Sequence, residues 1–127
     1  MSNNKTILTQ NAPAPIGPYS QAIDTGSFVF ISGQIPLDPA TGTMCGDTIE
    51  LQAKQALVNL KAVLAAAKLD VTALVKTTVF LTNMADFPVF NASYEKELGG
   101  HRPARSVVEV RALPKNSLVE IEAIACR

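Results

Sequence analysis

The side chain with the clearest capacity for chemistry in this 127-residue sequence is the guanidinium of Arg105. It lies in the stretch HRPARSVVEV, residues 101–110, after Pro103, before a β-branched run and close to the single histidine, His101. A guanidinium can bind a carboxylate through two parallel N–H bonds, which fix orientation as well as adding energy. The same residue can also be an ordinary surface charge at a strand end. The strand pattern leaves both interpretations open.

Two carboxylates near the end of the sequence are candidates for acid–base chemistry. Glu120 and Glu122 alternate with apolar residues in LVEIEAIA, residues 118–125, so both side chains lie on one face of a predicted strand. If this face is exposed to solvent, the alternating pattern is explained without any function for the two glutamates. A covered pair needs partners, and Glu109 and Arg111 on the preceding strand are available. The glutamates alone therefore do not identify a site.

Three further polar residues lie in apolar or glycine-containing surroundings. Asn91 interrupts the apolar stripe of a predicted helix, and an unpaired buried amide costs about 1–3 kcal/mol. A bond to a neighbouring backbone group would satisfy it without any function. Tyr19 follows Gly-Pro, where a ring can cover a cleft, and Ser32 precedes Gly33, which permits close backbone approach. Together these residues indicate no more than a possible anion site.

Composition and motifs exclude several classes of protein. The chain has 11 Lys plus Arg and 11 Asp plus Glu, so it has no net charge to attract it to nucleic acid, which is therefore not expected as a partner. It has no nucleotide-binding glycine loop and no sharp turn that presents a nucleophilic serine. A usual zinc site cannot be formed from the available ligands, which are Cys45, Cys126 and one histidine. The first residues resemble no signal or transit peptide, and no apolar run approaches the roughly 20 residues of a membrane span. We therefore predict a soluble, cytoplasmic protein with free thiols and no metal.

Two helices are predicted to position some of these residues. In the first, over about residues 48–68, apolar residues recur every three to four positions, and Asp47 and Glu50 resemble a capping box. The second helix follows Asp86 as its cap and ends at the glycine pair 99–100.

Five strands complete the predicted fold, at residues 20–24, 28–33, 73–82, 106–110 and 118–125. Proline-rich segments between the elements are predicted to be loops. The order of elements predicts one α+β domain over residues 1–127, with a mixed sheet, two helices on one face and a right-handed βαβ crossover. Charged residues make up 17% of the chain, whereas roughly 25% is typical of soluble domains. Because fewer charges are available to cover the surface, we expect some apolar surface to be covered by contacts between subunits.

Five stretches of the chain carry a family pattern: APAPIGPYSQAI, FISGQIPLDPATG, VKTTVFLTNMADFPVFNASY, RPARSVVEV and LVEIEAIA. In this order they resemble the RidA (YjgF) family of reactive intermediate deaminases. The resemblance covers about residues 7–127, and PARSVVEVRALPKNSLVEIEA is its most specific part. It implies a chorismate-mutase-like α+β fold and a homotrimer with three clefts between subunits.

The resemblance also implies an activity and the residues that carry it. Members hydrolyse reactive enamines and imines, such as 2-aminoacrylate and 2-iminobutanoate from pyridoxal-phosphate enzymes, to 2-oxo acids and ammonia, without metal or organic cofactor. Arg105 matches the arginine that binds the substrate carboxylate, and Glu120 matches the acid near the attacking water. Tyr19, Ser32 and Asn91 match residues of the cleft. The expected function is therefore that of a 2-iminobutanoate/2-iminopropanoate deaminase acting on small imino acids.

The sequence departs from the family pattern at two places. Many members carry a cysteine two residues after the arginine, where this chain has Val107, so no thiol at that position takes part in catalysis. The segment of residues 95–102 is shorter than in bacterial members, and Arg102 replaces a common aromatic residue. A segment that borders the cleft would affect the range of substrates.

Two other functions are alternatives. One is an endoribonuclease or translation inhibitor, an activity also attributed to relatives, for which His101 is the only histidine available for acid–base work. The other is a non-catalytic binder or holdase that uses the clefts between subunits for small carboxylates.

Overall fold

Residues 3–127, which the computed structural model describes, form one mixed sheet of six strands and two α-helices. The strands are β1 (Lys5–Ile7), β2 (Ala22–Asp24), β3 (Phe28–Gln34), β4 (Leu74–Leu81), β5 (Ala104–Glu109) and β6 (Val119–Cys126). The helices are α1 (Ile49–Ala66) and α2 (Phe87–Glu97). The spatial order of the strands is β1-β2-β3-β6-β4-β5.

Within residues 3–127, one pair of neighbouring strands is parallel. This pair is β4 and β5, with Thr77 opposite Arg105 and with α2 as the crossover between the two strands. The other neighbours are antiparallel, and β6 lies between β3 and β4. As a result, β6 brings Glu120 to the middle of the sheet, whereas Arg105 lies on an edge strand.

The strands have three features that the predictions do not contain. The structure adds β1, a three-residue strand with no apolar alternation, which pairs with β2 at the sheet edge. β5 begins at Ala104, earlier than predicted, so Arg105 lies inside the strand and not before it. A bulge in β4 between Leu74 and Lys76 shifts the alternation, so that Leu74 is buried and Val75 is 44% exposed.

The predicted apolar face of α1 is confirmed and the predicted N-cap of α1 is wrong, whereas Asp86 lies at the N-cap of α2 as predicted but does not cap it through its side chain. The buried residues of this face are Ala53, Ala56, Leu57, Leu60, Val63 and Leu64. The N-cap is Thr48 and not Asp47, because the Thr48 hydroxyl accepts a hydrogen bond from Leu51 N–H at 3.3 Å. Asp86 already has helical backbone angles, since a short 3-10 turn runs into α2, and its side chain makes no capping bond. The glycine pair after α2 has positive φ, as predicted for the helix end.

Both helices cover the same face of the sheet, as predicted. α1 packs on β3 and β6, and α2 packs on α1 and places Tyr94 against Thr77 of β4. On the opposite face, Phe28 is 41%, Phe30 46% and Val108 41% exposed. Within residues 3–127 no helix covers that face, which we call the bare face. Neither helix described is long and apolar enough to cross a membrane.

Arg127 connects the second strand to the first helix. Its Nε and Nη2 donate to Asp24 Oδ2 at 3.0 and 2.7 Å, and Nη2 also donates to Ala67 O at 2.7 Å. Gly26 N–H donates to Asp24 Oδ1 at 2.8 Å. The hydrogen bond from Arg127, followed by that from Gly26, lowers the pKa of Asp24 below its usual value.

The stabilisation from Asp24 is expected to disappear in acid. A carboxyl with a lowered folded-state pKa stabilises the fold above its unfolded pKa, about 3.9, and this contribution is lost as pH falls through the folded-state pKa. Asp24→Asn should lower the free energy of unfolding at neutral pH and have progressively less effect below about pH 4. Denaturant unfolding at several pH values and one protein concentration measures this, with Asp47→Asn as the exposed control. A deficit of Asp24→Asn that stays constant throughout the acid range would contradict the prediction.

Candidate active site

The first cluster of predicted residues forms where the edge strand β5 meets α2. We call Asn91, Tyr94 and Arg105 the arginine site. Arg105 pairs with buried Thr77, so its side chain lies on the helix-bearing face of the sheet, and its Nη1 donates to Asn91 Oδ1 at 2.9 Å. No carboxylate in residues 3–127 forms an ion pair with Arg105. The guanidinium, with five N–H donors, therefore retains donors for an external carboxylate.

Two aromatic rings hold the guanidinium in place. Its central carbon lies 4.8 Å from the centroid of the Tyr94 ring and 5.6 Å from that of Phe87. The hydroxyl groups of Tyr94 and Thr77 are hydrogen-bonded at 2.7 Å, and burial raises the pKa of Tyr94. Phe87, Asn91 and Tyr94 follow the spacing of one helix face. The amide therefore interrupts the apolar stripe at the point where α2 meets Arg105.

A cavity of about 510 Å³ opens beside the guanidinium. Its polar lining consists of Asn91, Tyr94, Glu95, His101, Arg102 and Arg105. The segment of residues 95–102 before β5 therefore forms part of the wall of this cavity. His101 is half-buried in the loop before β5, and its Nε2 lies 2.9 Å from Leu74 O. Because a carbonyl only accepts, Nε2 carries the proton.

The second cluster of predicted residues surrounds a cavity of about 380 Å³. We call it the glutamate site, and it consists of Tyr19, Ser32, Gly33, Glu120 and Glu122. The Ser32 hydroxyl donates to Ser20 O at 2.6 Å. The Tyr19 hydroxyl accepts from Ile16 N–H at 3.3 Å. These bonds order the proline-rich loop and the end of β3 beside Glu120.

The Glu120 carboxylate lies directly against the backbone of Gly33. A Cβ atom at position 33 would lie 1.8 Å from Glu120 Oε2, which is closer than two such atoms can approach. Burial raises the pKa of Glu120 above its usual value, and the charge of Glu122 adds to the shift. In residues 3–127, no side-chain hydrogen bond or ion pair occupies this carboxylate. The carboxylate is therefore available to hold a water molecule.

The two sites lie on opposite faces of the sheet. Thr77 of β4 is buried beneath the helices and pairs with Arg105, whereas Phe80 of the same strand pairs with Glu120. Successive side chains of a strand alternate between faces, so positions 77 and 80 point in opposite directions. The structure therefore assembles the arginine site and the glutamate site within one chain but keeps them apart. One chain cannot bring Arg105 and Glu120 to the same small molecule.

Sequence reasoning missed one contribution to the arginine site and misassigned one carboxylate. Tyr94 is not among the residues predicted to form the site, although its spacing from Asn91 on the helix indicates that both residues share a face. Glu109, predicted as a possible partner for the strand glutamates, instead accepts from Met84 N–H at 2.8 Å. Its pairing with Leu81 places it on the helix-bearing face, away from Glu120.

Among the described residues, no cysteine lines either site. Val107 pairs with Val79 and packs against the core, whereas Cys45 and Cys126 are free thiols. No group of three or more His, Cys, Asp or Glu residues within 3–127 is arranged to hold a metal ion. The groups that the two sites offer to a ligand are guanidinium, amide, hydroxyl and carboxylate.

The chain is a small α+β protein with both helices on one face of its sheet. An open guanidinium on that face can bind an organic anion, and a partly buried carboxylate lies on the other face. A family model described as Endoribonuclease L-PSP matches residues 9–127. The chain belongs to this family, which is the RidA (YjgF) family that its sequence resembles.

Proteins similar to this chain share its length and its fold. A 2-iminobutanoate/2-iminopropanoate deaminase of Salmonella typhimurium is 54% identical over 127 residues, 98% of each chain. The crystal structure of the Escherichia coli YjgF gene product has a TM-score of 0.93 at 51% identity, over 97% of this chain and 98% of that one. That of Escherichia coli TdcF with bound serine has a TM-score of 0.93 at 47% identity, over the same shares. These likenesses confirm the α+β fold with a mixed sheet and two helices.

Proposed function

We propose that this chain is a deaminase that hydrolyses small 2-imino acids, with 2-iminobutanoate and 2-iminopropanoate as substrates. The observation that carries the proposal is Arg105, which is held by Asn91 and two rings and has no carboxylate partner in residues 3–127. Relatives that are 51% to 54% identical carry the name of this activity. The TdcF structure contains serine, a small molecule with a carboxylate. The two free cysteines suit the reducing cytoplasm, where we expect the protein to act.

We propose further that the substrate binds between copies of the chain in a homotrimer. Arg105 and Glu120 lie on opposite faces of the sheet, so a small molecule that touches both must lie between two chains. The bare face exposes Phe28, Phe30 and Val108, which favours its burial against another copy. In this arrangement the arginine site of one chain is completed by the glutamate site of its neighbour.

In the proposed reaction, Arg105 binds the substrate carboxylate and thereby sets the position of the imine carbon. Two parallel N–H···O bonds fix the rotation of the carboxylate as well as its distance. Asn91 Oδ1 and the Tyr94 ring hold the guanidinium before the substrate arrives. Little reorganisation is then needed when the substrate binds.

Glu120 of the neighbouring copy acts on water in the next step. The water oxygen forms a bond to the carbon of the protonated imine, while the Glu120 carboxylate accepts a proton from the water. The carboxyl group returns this proton to the nitrogen of the carbinolamine. The C–N bond then breaks, ammonia leaves, and the Glu120 carboxylate accepts the proton of the hydroxyl to give the 2-oxo acid. The raised pKa of Glu120 makes it a stronger base than an exposed carboxylate. Tyr19 and Ser32 orient the substrate or close the cavity.

A trapping assay tests the proposed function. A threonine dehydratase generates 2-iminobutanoate, and semicarbazide captures the imine that has not been hydrolysed. The protein should lower the amount of semicarbazone in proportion to its concentration. Unchanged semicarbazone at a constant dehydratase rate would reject the deaminase. Tight binding of 2-oxobutanoate without this loss of imine would favour a non-catalytic binder.

Gly33 is expected to be required for the position of the Glu120 carboxylate. An alanine methyl at position 33 would displace Glu120 Oε2, the end of a flexible side chain, while the backbone there does not need a left-handed φ. Gly33→Ala should therefore lower kcat/KM for 2-iminobutanoate by about tenfold or more, with little change in the thermal midpoint. Gly17→Ala is the matched control, because its methyl would meet the Tyr19 ring at an ordinary 3.8 Å. Wild-type kcat/KM in Gly33→Ala would show that this contact is unimportant.

The description of the family names a second activity, cleavage of RNA. The equal numbers of positive and negative residues give the chain no net charge to attract an RNA backbone. His101, the only histidine, uses its Nε2 to bind Leu74 O. RNA cleavage by the purified protein that disappears in His101→Ala would favour the ribonuclease over the deaminase.

A further inference from the structure

We propose that the arginine site also accepts imino acids with a second carboxylate, which is bound by Arg102. The substrate class is the 2-imino dicarboxylic acids, the imines of the aspartate and glutamate skeletons. Arg105 binds the carboxylate next to the imine carbon, and Arg102 binds the carboxylate at the other end. This inference rests on the proposed deaminase function and extends its range of substrates.

Arg102 lines the same cavity as Arg105 and has only a weak partner. Its Nη2 lies 3.4 Å from Glu95 Oε1, and the two side chains are 83% and 67% exposed. An ion pair this exposed contributes little to stability, because both charges are solvated and holding both long side chains in one geometry costs entropy. A substrate carboxylate can therefore replace Glu95 as the partner of Arg102.

The loop that carries Arg102 is held by contacts on either side of this residue. His101 N–H donates to Leu98 O at 3.0 Å, and its Nε2 donates to Leu74 O at 2.9 Å. Pro103 restricts the backbone of Arg102 from the other side. Substrate binding therefore has to order only the side chain of Arg102, which lowers the entropic cost of using it.

The charges around the cavity favour a dianion over an imino acid with an alkyl end. The charged residues of its lining are Glu95, Arg102 and Arg105, with Tyr94 and His101 as the other titratable groups. A substrate with one carboxylate engages Arg105 and leaves Arg102 with its weak solvated partner. A dicarboxylate engages both guanidiniums, each of which suits a carboxylate in two-bond geometry.

The test compares iminosuccinate with 2-iminobutanoate in the semicarbazide assay. Amino acid oxidases with catalase generate the two imines from aspartate and 2-aminobutanoate. Arg102→Ala should lower the ratio of kcat/KM for iminosuccinate to that for 2-iminobutanoate by about tenfold, because one charge-assisted contact is lost. Arg102→Lys should recover part of this ratio. Lys96→Ala removes an exposed cation of α2 that does not line the cavity, and it should leave the ratio unchanged.

A binding measurement separates this inference from the proposed function. By calorimetry, oxaloacetate should bind the wild-type protein more tightly than 2-oxobutanoate, and Arg102→Ala should remove the difference. If 2-iminobutanoate is hydrolysed but Arg102→Ala changes neither the kcat/KM ratio nor the binding preference, only the role of Arg102 is overturned. If the wild type hydrolyses neither imine, the deaminase is rejected, and the binding comparison still decides whether Arg102 selects dicarboxylates.

Discussion

Arg105→Ala is expected to lower kcat/KM for 2-iminobutanoate by about a hundredfold or more while the fold is retained. The variant loses charge-assisted hydrogen bonds to the substrate carboxylate, each worth about 1.5–3 kcal/mol, and about 1.4 kcal/mol corresponds to a tenfold change in rate. Arg105 is half-buried on an edge strand, and in residues 3–127 its side chain has one hydrogen-bonded partner, Asn91. Its removal should therefore cost little stability. The trapping assay and a thermal melt of the same preparation measure the two effects.

Arg105→Lys separates charge from geometry at this position. Lysine keeps the positive charge but lacks the planar fork that fixes a carboxylate, so its activity should lie between those of the wild type and Arg105→Ala. Arg111→Ala, which removes an exposed arginine just beyond β5, should leave kcat/KM nearly unchanged. If Arg105→Ala retains wild-type kinetics, the proposed role in carboxylate binding is wrong.

Mixing two inactive variants is expected to restore activity. Glu120→Gln removes the general base and should lose about a hundredfold in kcat/KM on its own. If each site takes Arg105 from one chain and Glu120 from another, random mixed trimers with Arg105→Ala should regain about a quarter of wild-type activity. The reason is that about one site in four then receives an intact Arg105 from one chain and an intact Glu120 from its neighbour. Joint unfolding and refolding of the two variants, followed by the trapping assay, measures the recovery.

Each variant refolded alone is the control for this experiment. Neither sample should recover activity, because every site then lacks the same residue. Size-exclusion chromatography of the mixed sample shows whether trimers have formed. Mixed trimers that form and remain inactive would contradict a site shared between chains, even if both residues are essential.

The parts of the fold that were predicted from the sequence depend on local patterns. The buried face of α1 follows from apolar residues at helical spacing, a pattern that can be seen within this segment alone. The strand β1 has no such pattern, because its three residues are held by pairing with β2. The bulge that exposes Val75 likewise depends on the partner strand and is not visible in β4 alone.

The candidate site was predictable residue by residue but not as an arrangement. The position of Asn91 on an apolar stripe predicts that its amide needs a partner. The partner is Arg105 because α2 lies over the parallel pair β4 and β5. This contact joins residues that are distant in the sequence, so the sequence pattern does not predict it. Likewise, the resemblance to a family assigns roles to Arg105 and Glu120. Their separation on opposite faces follows only from the register of β4 with both neighbours.

The central position of β6 determines when the sheet can close during synthesis of the chain. β6 is translated after every other strand in residues 3–127, yet it lies between β3 and β4. Until β6 leaves the ribosome, β3 and β4 each present an unpaired edge to the surrounding solution. The nascent chain therefore passes through a stage in which it can pair with other chains. A polypeptide interrupted before Val119 would remain at that stage, and we expect it to aggregate or be degraded.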